Sequence, residues 1–157
     1  MESDLFHVAL HELQALAAQT HDNSNVLCGL LFAEERGWLS PIDAADKERR
    51  SALDDRLQRQ LETQLHALAA AYPHPLRSYL QEGIEVFTAL VERPESVSTT
   101  NPRAEQHRFD CLVARSLLPA WQALQQGGQS QGGFSLCWAL EVGEQLRHRY
   151  LAALRAA

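Results

Sequence analysis

Apolar residues recur at intervals of three and four along most of this chain, the spacing that gathers them on one face of an α-helix. The clearest run is Leu53, Leu57, Leu61, Leu65 and Leu68, which follows a start signal at Ser40, Pro41 and Asp43. Serine caps a helix, proline suits its first turn, and a carboxylate three residues past the cap can reach back to it. Tyr72-Pro73-His74-Pro75 ends the run, because proline cannot continue the backbone ladder. The pattern predicts a long helix after Ser40, with Ser51 and Asp54 forming a weaker second capping pattern where it bends.

The remaining segments follow the same logic. A first helix is expected over residues 3–19, and His21-Asp22-Asn23-Ser24-Asn25 reads as a loop by composition. A short second helix spans 26–36 and stops at Gly37. The fourth runs from Pro75 to Glu92, with Leu76, Leu80, Ile84, Phe87 and Val91 on one face and Gln81, Glu85, Thr88 and Glu92 on the other. Residues 94–101 read as a loop, and Asn101-Pro102 opens a fifth helix. Phe109, Leu112, Val113, Ser116, Leu117 and Ala120 form its expected core side, and Pro119 is expected to kink or interrupt it. A glycine-rich connector at 127–133 precedes the last helix, 134–155. No strand-like alternation competes with these segments. The expectation is all-α: a single-domain bundle of about six helices over 1–157, the longest after Ser40.

Composition narrows the function. The chain has 157 residues, 45% hydrophobic and 22% charged, the make-up of an ordinary globular domain. Its longest apolar run, Val26 to Ala33, is far short of the roughly 20 residues a membrane helix needs. The acidic start, Met1-Glu2-Ser3-Asp4, lacks the basic-then-apolar form of a signal peptide, so a cytoplasmic location is expected. A net charge of −6 opposes binding to nucleic-acid phosphates or anionic lipid and favours a basic partner. Cys28, Cys111 and Cys137 are too far apart for a zinc knuckle or redox motif and read as buried thiols.

Four local patterns touch chemistry. Gly128-Gln129-Ser130-Gln131-Gly132 fits the G-x-S-x-G pattern of a hydrolase elbow, but that elbow needs a strand-to-helix turn; here a helical segment precedes it, and a linker accounts for the residues. His7 and His11, one turn apart, can share zinc or another transition metal if other elements bring more ligands. They lie opposite the face defined by Leu5, Ala9, Leu13 and Leu16, a placement that a solvated histidine pair explains better than a buried site. Arg103 and His107 pair a cation with an imidazole, the groups that cleave RNA, but the acidic balance disfavours that substrate. Asp43 with Lys47, Asp46 with Arg50, and Asp55 with Arg59 have the spacing of helix-supporting ion pairs.

The tryptophans point elsewhere. Trp138 and Trp121 fall off the main apolar stripes of their helices and are candidate interface anchors, with Glu82, Glu85 and Glu92 as an acidic rim. The expected function is therefore non-enzymatic: a module that binds another protein, as an adaptor, inhibitor, chaperone or antitoxin-like partner, without a cofactor. Self-association through the same patch is the other use of such a surface. The alternative is a metal-binding or enzymatic bundle built on His7 and His11.

Overall fold

The structure is a computed structural model that describes residues 2–93, 103–127 and 135–156. These form five helices and no strand: α1 (Glu2–Glu35), α2 (Pro41–Ala71), α3 (Pro73–Glu92), α4 (Arg103–Gln125) and α5 (Leu136–Ala156). The all-α class is as expected, but the helix count is lower. Chain contacts divide into two compact units, residues 1–71 and 72–157.

The first unit is a helical hairpin. Its first helix is continuous where a loop was expected at His21–Asn25, and the hydrogen bonds give the reason. Asn23 is buried, donates through Nδ2 to the Arg50 carbonyl at 3.1 Å, and accepts from the Arg50 guanidinium at 3.2 Å. Ser24 donates to the Asp54 carboxylate at 2.6 Å, and Thr20 returns its hydroxyl proton to the Leu16 carbonyl at 2.8 Å. The polar cluster that imitates a loop thus joins α1 to α2, and a helix carries it there. Nearer the turn, Glu34 pairs with Lys47, so Lys47 bonds across the hairpin. Asp46 does hold Arg50, at 3.0 Å, as its spacing predicts, and also holds Arg49.

Away from the turn the seam becomes apolar. Phe6, Leu10, Leu13 and Ala17 are buried on α1, as are Leu57, Leu61 and Leu68 on α2. Their three-four spacing is that of a coiled-coil seam. The buried face of α1 is therefore rotated from the expected one, and Leu5 is left exposed. The turn between the helices is a C-terminal cap. Gly37 has φ +73°, Trp38 N–H donates to the Ala33 carbonyl at 2.9 Å, and Gly37 N–H to the Glu34 carbonyl at 3.0 Å, the two bonds of a Schellman motif. Ser40 Oγ then accepts from Asp43 N–H at 3.1 Å, capping α2 as the sequence indicates.

The second unit packs α3, α4 and α5 around Trp121, which is fully buried. Its ring meets Phe87 edge-on at 5.1 Å and Tyr79 at 5.4 Å between centroids. Gly83 on α3 and Gly143 on α5 admit the indole. A Cβ on Gly143 would lie 2.7 Å from the ring, and one on Gly83 closer still. Without a side chain at Gly143, the indole reaches the α5 backbone, and Nε1 donates to the Ala139 carbonyl at 3.0 Å. α4 runs unbroken through Pro119; flanking Leu117, Ala120 and Trp121, all fully buried, hold it on both sides of the missing N–H.

The α4 core face also differs from expectation. Phe109 and Leu112 are 58% and 61% exposed, and the buried line is Asp110, Ala114, Leu117 and Trp121. Arg149 on α5 holds the Asp110 carboxylate through two nitrogens at 2.8 and 3.1 Å, and Gln106 adds a third bond at 2.9 Å. This arrangement turns α4 so that a charged residue faces inward and two large apolar ones face out. Ser135 Oγ accepts from Trp138 N–H at 3.4 Å at the start of α5.

Candidate protein interface

Trp38 is the residue that the periodic reading passes over, because it sits in the turn between two helices. As the residue after Gly37 in the cap, it has a local role: such a position packs back onto the last turn of its helix. It does so on Phe32, with ring centroids 6.1 Å apart in an edge-on arrangement. Yet Trp38 remains 68% exposed and Phe32 about half exposed, so the cap uses only part of either ring. Leu31 before them and Ile42 after them are exposed too, Ile42 at 82%.

Arg36 lies over both rings, its guanidinium carbon 4.9 Å from the Phe32 centroid and 5.8 Å from that of Trp38. The cation and the two rings thus contact one another within the chain itself. Around them stand Glu34, already paired with Lys47, and the exposed Glu35 and Asp43. An aromatic centre of Trp, Phe and Arg with a charged border has the composition of an interface hot spot. Covering the exposed part of one tryptophan ring removes on the order of 100–150 Å² from water, worth about 3 kcal/mol.

The residues singled out from sequence are dispersed. Trp121 is a core residue and cannot present its ring to a partner. Trp138 is half-buried. Glu82 bonds Arg147 at 3.1 Å, Glu85 is exposed and accepts from Gln81 at 3.5 Å, and Glu92 is exposed. Glu82 and Glu85 do line a groove of about 330 Å³ between α3 and α5, with Arg93, Arg147 and Tyr150. The Arg147 guanidinium is already held by Glu82 and Glu144 and lies 5.3 Å from the Tyr79 ring centroid, so this cation is balanced from within the chain.

His7 and His11 are both exposed, and the His7 ring meets Phe6 at a tilt of 60° with centroids 5.5 Å apart. His21 lies further along the same helix, about 15 Å from His11 and about 21 Å from His7 at ~1.5 Å per residue, beyond the reach of a shared ion. Among the described residues, no three His, Cys, Asp or Glu side chains converge as metal ligands. His107 Nε2 is 3.7 Å from Cys111 Sγ. Burial, and then the neighbouring Asp110 charge, push the Cys111 thiol above its ordinary value, the opposite of what a nucleophile requires. Cys28 is exposed, Cys111 half-buried and Cys137 buried, so the buried-thiol expectation holds only for Cys137. The G-x-S-x-G segment lies outside the described residues.

The chain matches no protein-family model, no curated protein and no solved structure. Among the described residues, no helix is long and apolar enough to cross a membrane.

Proposed function

We propose that this chain is a protein-binding module whose contact is centred on Trp38 and Phe32 at the turn of the α1–α2 hairpin. The observation that carries this reading is the exposed, pre-ordered cluster of Trp38, Phe32 and Arg36. Two aromatic rings and a guanidinium are fixed in one geometry, so little side-chain entropy remains to be lost on binding. The partner is a protein, basic on balance, since the chain's net charge is −6. The roles open to such a module are adaptor, inhibitor, chaperone or antitoxin-like partner.

Quantitative affinity purification with the intact chain tests this. Wild-type protein should retain one dominant stoichiometric partner, and Trp38→Ala should reduce its recovery at least tenfold, the effect of an interface hot spot. Trp138→Ala should leave recovery nearly unchanged. Equal recovery with Trp38→Ala would place the contact elsewhere, and an empty capture would remove the reading.

A further inference from the structure

Charge is distributed unevenly between the two units. Residues 1–71 contain 12 of the acidic and 6 of the basic residues, so that unit accounts for the whole net charge of −6; the 8 and 8 in residues 72–157 cancel. Within the hairpin the bias falls on one helix. α1 has six carboxylates and no lysine or arginine over 34 residues, whereas α2 has six carboxylates and five basic residues.

α1 also has more apolar surface than a two-helix hairpin uses. Phe6, Leu10, Leu13 and Ala17 meet the seam with α2. Leu5, Val8, Ala9, Leu16 and Val26 fall on a separate side, with Leu5 at 61% and Val8 at 59% exposed. Helices that carry two apolar stripes are those with two helical neighbours. Glu12 lies within this second stripe and Asp22 on its border, both exposed.

From these two features we infer that the outer face of α1 accepts a basic amphipathic helix of the partner, with an aliphatic stripe flanked by lysine or arginine. A second copy of this chain is the wrong occupant, because laying this face on itself would set Glu12 and Asp22 against the same carboxylates of the copy, with no lysine or arginine on either helix to answer them. The inference rests on the protein-binding reading above and names the partner's chemistry on a face separate from the Trp38 cluster.

The test uses the intact chain and three synthetic peptides: a helix with leucine at heptad a and d positions flanked by lysine, the same stripe flanked by glutamate, and the lysine peptide with its stripe scrambled. Binding is read by fluorescence anisotropy and located by hydrogen exchange. The lysine-flanked helix should bind, protect amides on α1, and weaken as salt is raised. Both other peptides should bind at least tenfold more weakly. Val8→Lys and Val26→Lys, substitutions at exposed positions, should each cost the lysine peptide tenfold or more with unchanged circular dichroism. Trp38→Ala should leave this binding intact, so failure of the Trp38 contact and failure of the α1 contact are separable. Equal binding by the scrambled peptide, protection away from α1, indifference to both valine variants, or self-association through α1 would each overturn the inference.

Discussion

Single positions decide how each unit closes, and the deciding ones are small or isolated. Gly37 sits at φ +73°, where a side chain costs about 1 kcal/mol or more. Gly37→Ala should lower hairpin stability by that amount in urea denaturation; no change would mean that the cap tolerates another conformation. Gly143 gives way to the Trp121 ring, and a Cβ there would stand 2.7 Å from it. Gly143→Ala should destabilise the second unit by about 1–3 kcal/mol through overpacking and shift Trp121 fluorescence to the red. Neither role was legible beforehand. A glycine cradle is visible only once the tryptophan it receives is placed, and Trp121 read from its own helix looked like an off-stripe ring free to face outward. Trp38 escaped for a related reason: helical periodicity says nothing about a residue in a turn.

At the level of elements, starts and stops were readable and interiors less so. Ser40 and Pro41 mark the start of α2, and Leu76, Leu80, Ile84 and Phe87 are buried on α3 as their spacing required. Two expectations failed because polar groups found partners that only tertiary structure supplies. His21–Asn25 reads as loop residues, yet Asn23 and Ser24 bond α2 from within α1. Phe109 and Leu112 read as core, yet Asp110 takes the inner face because Arg149 meets it. Asn23→Ala should therefore cost about 1–3 kcal/mol, because it removes two part-buried hydrogen bonds, to the Arg50 carbonyl and guanidinium; an effect below 0.5 kcal/mol, the range of ordinary surface changes, would deny the link. Hydrogen bonds from Arg50 and then Arg49 hold the Asp46 carboxyl below its usual value of 3.8. A lowered folded value stabilises above the unfolded pKa and is lost as pH falls through the folded one. Hairpin melting temperature in Asp46→Asn should thus match wild type well below pH 3.8 and fall short of it near neutrality. A deficit that persists unchanged into strong acid would assign it to something other than this charge.

At the scale of the whole chain, the two units differ in charge and in how they hold their tryptophans. Residues 72–157 have balanced charge and organise around a buried tryptophan, while residues 1–71 carry the net charge of −6 and an exposed one. Total charge and the all-α class could be counted or inferred from sequence, but their concentration on α1 gains meaning only when α1 is one unbroken helix. The proposed contact makes Trp38 the tryptophan whose surroundings change when a partner arrives. Fluorine NMR of fluorotryptophan-labelled protein, with signals assigned through Trp38→Phe, reads all three rings in the intact chain. Alone, the Trp38 signal should respond strongly to a soluble paramagnetic agent while Trp121 does not. With the captured partner added, Trp38 should shift and lose that response, and Trp121 should stay in place. A Trp38 signal that remains fully solvent-accessible in the complex would contradict the account.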